Sequence, residues 1–210
     1  MSLFKKKKTF RDREPLKITP APSLWKDFLA STLTFVLMIA SVFLILHFVG
    51  QRVSVDGPSM MNTLHNGDQL IVDKFTYNFL HEPERFDIVV FEVDAKTQTY
   101  FIKRIIGLPG ETVQIKTETQ FDGGIISRQS YIYINGEKIE YPYPKDDLFN
   151  AGVASVPIKL GSDEYFVMGD NVNDSNDSRI KVGNVKRDDI IGRAVLRFWP
   201  LADFTTFPKE

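Results

Sequence analysis

Twenty-four consecutive residues without a charge, Phe28 to Gln51, constrain this chain more than any other feature. Within them Phe28 to Val49 reads FLASTLTFVLMIASVFLILHFV. Twenty-two helical residues extend roughly 33 Å, enough to cross a ~30 Å hydrocarbon core. Buried helices of soluble proteins rarely stay uncharged for so long. A cleaved signal peptide has an apolar core of about 7–15 residues followed by a small-x-small site. This run is longer and leads into HFVGQRVSV. It therefore reads as an uncleaved signal anchor over residues 28–49, with Trp25 where an interfacial aromatic belongs. His47 is uncharged there at little cost.

The charge distribution supplies an orientation. Residues 1–27 hold eight basic side chains (Lys5 to Lys8, Arg11, Arg13, Lys17, Lys26) and three acids, whereas the remainder holds 18 basic and 24 acidic residues. A basic head alone fits nucleic acid or an anionic membrane face. The apolar run behind it selects the membrane and argues against a nucleic-acid partner. Excess Lys and Arg before a span predict a cytoplasmic N-terminus. The expected layout is a head over 1–27, a single-pass anchor over 28–49, and an extracytoplasmic domain over 50–210 in the cell membrane. Cysteine is absent from the 210 residues, which excludes disulfides, Cys-ligated metals and a thiol nucleophile.

Beyond Gln51 the pattern is β. Val53–Val55, Gln69–Val72, Asp87–Val93, Tyr100–Ile106, Thr112–Ile115, Tyr131–Ile134, Lys138–Tyr141, Tyr165–Met168 and Ile190–Phe198 are short runs rich in Val, Ile, Phe and Tyr. Asn135-Gly136 predicts a type I′ hairpin turn, and Leu108-Pro109-Gly110 a type II turn. Residues 117–130 and 142–162 are polar or carry Pro and Gly, so 117–160 reads as an excursion or flap. The fold class expected is mostly β: one transmembrane helix followed by a compact, barrel-like all-β domain.

Three segments combine turns with reactive side chains. In Asp56-Gly57-Pro58-Ser59-Met60-Met61-Asn62, Ser59 sits on a constrained turn; it is either an ordinary turn serine or a nucleophile facing a cleft. In Tyr100–Pro109, alternation places Lys103 with Phe101 and Ile105, and Arg104 with Ile102 and Ile106. A strand covered on both faces buries one cation. Lys103 then either lays its stem on apolar surface with its ammonium in water, or loses its proton because burial penalises the charged form. A neutral amine is a general base able to activate a serine. Met168 to Arg179 is dense in small polar residues. It fits a Ca²⁺ loop poorly, lacking the EF-hand glycine and terminal glutamate. The competing reading is a hydrogen-bonded scaffold that pairs Asp177 with Arg179 and directs Ser175 or Ser178 at a neighbour. His65 is the rival base for Ser59, though it lies in a polar turn where a solvated histidine is the default.

Taken in order, the apolar span, VDGPSMMNTL, GDQLIVDKF, FIKRIIGLPGETV and EYFVMGDNVNDSNDSR resemble type I signal peptidases, in the smaller single-span form found in Gram-positive bacteria. The resemblance runs from Phe28 to the C-terminus. It implies a membrane-bound serine endopeptidase that removes signal peptides without metal or cofactor. It casts Ser59 as nucleophile, Lys103 as general base, Ser175 as the serine that orients the lysine amine, and Asp177 with Arg179 as the pair holding that loop. Gly57 falls at a position contributing to the oxyanion hole, where other members use a serine hydroxyl. Val55 and Ile102 fall where small specificity pockets are lined. The partners implied are signal peptides of pre-proteins, the lipid bilayer and the protein translocation channel. Two departures stand out: Asn62 replaces a proline, and Ile180, Lys181 and Val182 precede Gly183. A dedicated pilin-type processing peptidase and a non-enzymatic membrane-tethered scaffold or chaperone are the alternatives. Self-cleaving repressors share the dyad but lack such a span.

Overall fold

The computed structural model describes residues 24–48, 50–94, 96–122, 125–141 and 149–207. The basic head up to residue 23, on which the orientation rests, and residues 142–148 of the second excursion lie outside them. The chain divides into two compact units, residues 1–42 and 43–210.

Helix α1 (Leu24–Phe48), which lies in the first unit up to Val42, begins four residues before the uncharged run. Its apolar window, Leu24–Phe43, has mean hydropathy 1.5 and none of it is buried. Three of its four hydroxyls bond within the helix: Thr32 donates to the Phe28 carbonyl, Thr34 to Ala30 and Ser41 to Met38. A helix that meets its own polar groups and shows apolar side chains all round suits lipid.

The second unit is built of strands: β1 (Gly50–Ser54), β2 (Gln69–Asp73), β3 (Ile88–Asp94), β4 (Thr99–Gly107), β5 (Thr112–Asp122), β6 (Ile125–Ile134), β7 (Glu137–Lys138), β8 (Ile158–Lys159), β9 (Glu164–Met168), β10 (Val185–Lys186), β11 (Ile190–Trp199) and β12 (Thr205–Thr206). One short helix, α2 (Phe75–Phe79), interrupts them. The larger sheet runs β1-β2-β11-β3-β4-β9-β10, with β12 on β11; the smaller runs β7-β6-β5-β8. The domain is thus all-β in class. It consists of two open sheets rather than one strand ring. All pairings are antiparallel.

Every strand run read from sequence overlaps an observed strand, Lys138–Tyr141 by Lys138 alone because β7 ends there, and both turns form. Asn135 and Gly136 have φ of 53° and 88°, as a type I′ turn requires. Gly110 has φ of 76°, and the Glu111 N–H reaches the Leu108 carbonyl at 3.1 Å. The expectation for 117–130 is corrected. This stretch continues the β5–β6 hairpin in unbroken register from Val113↔Ile134 to Asp122↔Ile125. Its outer half is solvated on both faces, so it carries none of the alternation that reveals a half-buried strand.

Strand β4 carries the site. Its Lys103 pairs with Val89 of β3, and its Arg104 with Met168 of β9. Phe101 and Ile105 pack into a core with Val89, Phe91 and Val167, while Ile106 belongs to a second core with Val113, Ile132 and Phe166. β4 is therefore covered on both faces.

Candidate active site

The serine turn links β1 to β2. Val55 is pinned at both backbone groups, its N–H to the Asp68 carbonyl and its carbonyl to the Gly67 N–H, each at 2.9 Å. Beyond it the chain folds into a tight turn: Met61 N–H bonds the Pro58 carbonyl, and the Thr63 and Leu64 N–H groups bond Met60. Met60 and Leu64 are buried and anchor the turn, which leaves Ser59 partly accessible. Asn62 has φ of +81°. Proline is locked near −65°, so this turn has the opposite hand from any proline-bearing one, and an asparagine tolerates it.

Lys103 reaches this turn from β4. Its Nζ lies 2.6 Å from Ser59 Oγ and donates to the Ile102 carbonyl at 2.9 Å. The side chain is buried and makes no ion pair among the described residues. Burial lowers its pKa from 10.5 to about 8, against the opposing pull of Asp177 and then Asp170. The alternative of a solvated ammonium on an apolar stem is excluded by this burial.

The loop after β9 closes over both. Past Met168 the chain turns at Gly169, where a Cβ would stand 2.3 Å from the Ser59 carbonyl oxygen and 2.4 Å from Ser175 Oγ. Only glycine allows that approach. Asn171 then clamps the turn twice, its N–H to the Ser59 carbonyl and its Nδ2 to the Pro58 carbonyl, both at 3.1 Å. Two buried carboxylates hold this loop. Asp170 accepts Arg104 Nε at 2.8 Å and Nη2 at 2.6 Å, and also the hydroxyls of Thr63 at 2.5 Å and Tyr141 at 2.7 Å. Asp177 accepts Arg179 Nε at 2.9 Å and Nη2 at 2.7 Å, together with the Gly169 N–H at 3.1 Å. Arg179 continues to the carbonyls of Val172 and Asn150. Fork-to-carboxylate pairs of this kind are geometrically specific. They occupy two of the loop's three carboxylates, Asp170 and Asp177, and the pairing of Asp177 with Arg179 is the one the scaffold reading expected. Ser178 serves it by exchanging hydrogen bonds with the Val167 backbone.

The sequence reading expected one buried cation on β4, and both Lys103 and Arg104 are buried. It missed Asp170, whose only sequence cue is its place at the strand end beside Gly169. Ser175 Oγ is buried without a hydrogen-bond partner among the described residues; the lysine amine bonds Ile102 instead. The Gly57 N–H is taken by Asn66 Oδ1 at 3.0 Å, whereas the Ser59 N–H has no partner among the described residues. His65 is exposed, its N–H capped by Asp68.

A cleft of about 500 Å³ opens onto Ser59 and Lys103, walled by Val53–Met60 on one side and Thr99–Lys103 on the other, with Asp174 and Asn176 at the rim. Val55 and Ile102 both line it. Among the described residues, β1 pairs only with β2, and the Thr99–Ile102 part of β4 pairs only with β3. Each wall therefore presents an unpaired strand edge to the cleft.

Comparison with known proteins agrees with this geometry. Residues 26–199 match the family model described as signal peptidase, peptidase S26. Signal peptidase I of Bacillus amyloliquefaciens is 37% identical over 80% of this chain and 83% of its own. Signal peptidase I T of Bacillus subtilis is 37% identical over 79% and 82%, and signal peptidase I of Leptolyngbya laminosa 40% over 73% and 71%. A crystal structure of a signal peptidase I from Enterococcus faecalis aligns with TM-score 0.37 and 28% identity over 55% of this chain and 98% of that one, too low to bear on the fold. The chain belongs to the peptidase S26 signal peptidases, serine peptidases that remove signal peptides.

Proposed function

We propose that Ser59 is the nucleophile and Lys103 the general base of this peptidase, acting on pre-proteins at the outer face of the cell membrane. The observation that carries the assignment is the 2.6 Å contact between Lys103 Nζ and Ser59 Oγ, made by a lysine with no carboxylate partner among the described residues. As a neutral amine, Lys103 accepts the Ser59 proton while Oγ attacks the scissile carbonyl. The ammonium then protonates the leaving amine, and the regenerated amine activates water to release the acyl-enzyme. The unpaired Ser59 N–H supports a role in stabilising the oxyanion. With its N–H bound by Asn66, Gly57 supplies shape rather than a donor. Ser175 positions the amine from beneath once the lysine turns from Ile102, and the Asp177–Arg179 pair keeps that loop in place.

The substrate lies extended between Val53–Asp56 and Tyr100–Ile102 and completes both free edges as an added strand. Alternate side chains then face the enzyme, so the residues one and three before the cut enter pockets walled by Val55 and Ile102. These admit small side chains, which gives cleavage after small-x-small. Residues 28–49 anchor the protein in the lipid bilayer, the basic head remains cytoplasmic, and residues 50–210 meet substrates as they leave the translocation channel.

The test incubates purified full-length protein with a secretory precursor and sequences the new N-terminus. Processing after small-x-small is expected for the wild type and for His65→Ala, and none for Ser59→Ala or Lys103→Ala. An active Lys103→Ala with an inactive His65→Ala sinks the dyad assignment. Protease added outside intact spheroplasts is expected to reach the β domain and spare the Lys5–Lys8 head; the opposite pattern reverses the topology.

A further inference from the structure

We propose that Asp174, on the loop after β9, selects the charge of the first residues after the cut, favouring basic and disfavouring acidic side chains there. The inference rests on the reading of this cleft as the peptidase site and adds a determinant on its exit side.

The loop fixes where Asp174 stands. Its N–H bonds the Asn171 carbonyl at 3.1 Å, and Asn171 in turn holds the Pro58 and Ser59 carbonyls. The next residue, Ser175, has its Oγ 2.4 Å from where a Cβ on Gly169 would stand, and that Cβ would lie 2.3 Å from the Ser59 carbonyl oxygen. Asp174 is therefore tied to the Ser59 end of the cleft, whose mouth it lines with Asn176. Both are exposed. Asp170 and Asp177 of the same loop are buried and paired with arginines. The Asp174 carboxylate has no ion pair or hydrogen bond among the described residues and faces water at the mouth.

The two walls give the cleft a direction. Val53–Asp56 leads forward along the chain to Ser59, and Thr99–Ile102 leads forward to Lys103. Past Lys103 the free edge closes, because Arg104 pairs with Met168 of β9. An extended substrate has strand partners only as far as the cut. The residues that follow the scissile bond leave the groove at the loop, over Asp174 and Asn176. Of the other charged groups lining the cleft, Lys103 is neutral when it acts, and Asp56 stands on the wall beside the residues before the cut. Asp174 is the charge on the exit side. A pair of opposite charges in so wet a place shifts binding by a factor of roughly 1.5–5. Lysine is attracted and glutamate repelled, so the ratio between the two is the sensitive measure.

The test gives full-length protein, in a nonionic detergent that adds no surface charge, a set of peptides with Ala-x-Ala before the cut. They carry Lys, Gln or Glu at the first or the second position after it. At about pH 9 most of the Lys103 amine is neutral while a substrate lysine keeps its charge. The expected kcat/KM for lysine at low salt exceeds that for glutamate by at least about threefold at one of the two positions. The difference is expected in KM, since the contact is as strong in the ground state as in the transition state. It should fade at 1 M salt, where the screening length is about 3 Å. It should also fade in Asp174→Asn and invert in Asp174→Lys. A ratio that survives Asp174→Asn, or that Asp56→Asn removes instead, overturns the assignment. Equal kcat/KM for lysine and glutamate at both positions in the wild type overturns it without any variant. A charge preference at the middle position before the cut and none after it sets Asp174 beside the other half of the substrate, and overturns it too. No cleavage after Ala-x-Ala, even of the glutamine peptides, overturns the reading of the cleft and this proposal with it.

Discussion

Lys103 and Arg104 are adjacent on one strand, both cationic, both almost fully buried, and their surroundings are opposite. Arg104 points to the side where Asp170 offers two oxygens at 2.6 and 2.8 Å. Lys103 points to the cleft, where it finds a hydroxyl and a carbonyl. One burial is compensated, so that cation is structural. The other is not, so burial lowers that cation's pKa to about 8, as the proposed role of general base requires. Strand alternation, which separates neighbours onto opposite faces, makes two such environments possible within one residue step.

The largest effect comes from removing the difference at its chemical end. Lys103→Arg keeps a buried cation but installs a group that does not deprotonate in proteins. Cleavage of a fluorogenic signal-peptide substrate is expected to fall at least ~10³-fold, as it does when a member of a catalytic unit is lost. Retention of a tenth of wild-type kcat/KM in that variant places the base elsewhere.

Removing the compensation on the other side comes next. Asp170→Asn leaves the Arg104 guanidinium buried without its counter-charge, a change that typically costs 3–5 kcal/mol. Urea unfolding of the variant should show that loss as a lower midpoint. Asp170 also pulls the Lys103 pKa upward. The folded fraction of Asp170→Asn should therefore show its activity rising at lower pH than the wild type. An unchanged midpoint means the pair contributes little, and an activity limb moving to higher pH contradicts the electrostatic account.

The uncompensated burial should appear in stability as well as in rate. Activity is expected to rise with pH through about 8 as the neutral amine forms. For stability, the folded pKa of Lys103 lies below its unfolded value of 10.5. Below about 8 both states hold the proton and the folded state bears the full penalty of the buried charge. Between about 8 and 10.5 the unfolded state binds more protons, so unfolding free energy rises with pH. Its full span is about 3 kcal/mol at 1.36 kcal/mol per pK unit. Denaturant titrations of wild type and Lys103→Met should diverge across this window, the wild type gaining on the variant. Parallel curves would falsify a depressed lysine pKa.

The same contrast explains what the sequence disclosed. Ser59 and Lys103 stood out as candidates because each is an anomaly, a serine between Pro and Met on a turn and a lysine inside an apolar strand, while their proposed roles came from the family resemblance. Asp177 and Arg179 were legible as neighbours two residues apart. Asp170 was not, since its partners Arg104, Thr63 and Tyr141 come from three distant segments and no local pattern announces them. The outer β5–β6 ribbon was hidden because a ribbon with two wet faces has no period-2 signal. Asn66 escaped notice because its bond to the Gly57 N–H depends on the β1–β2 turn bringing residues 57 and 66 together. The left-handed backbone of Asn62 has a weak sequence cue, the residue type itself.

The smallest expected effect lies in the two cleft walls. Val55 is almost fully buried and packs with Met60, Leu64, Leu70, Ile88 and Ala194, and Ile102 leans on the same cluster. A wall backed by core side chains cannot yield to a larger substrate residue, and overpacking such a site typically costs 1–3 kcal/mol, a factor of roughly 5–150 in rate. Precursors carrying alanine immediately before the cut should be processed faster than those carrying leucine by a factor in that range, while the position two before it is permissive. Val55→Ala removes two methyl groups from the wall and should narrow the ratio by raising kcat/KM for leucine, leaving the pH at which activity rises unchanged because Lys103 is not disturbed. A library of precursors varied at the three positions before the cut, read against both enzymes, measures this directly. If the ratio is the same for wild type and Val55→Ala, Val55 is part of the core and not of the pocket. If the middle position proves the selective one, the substrate does not lie along the two strand edges in the register proposed.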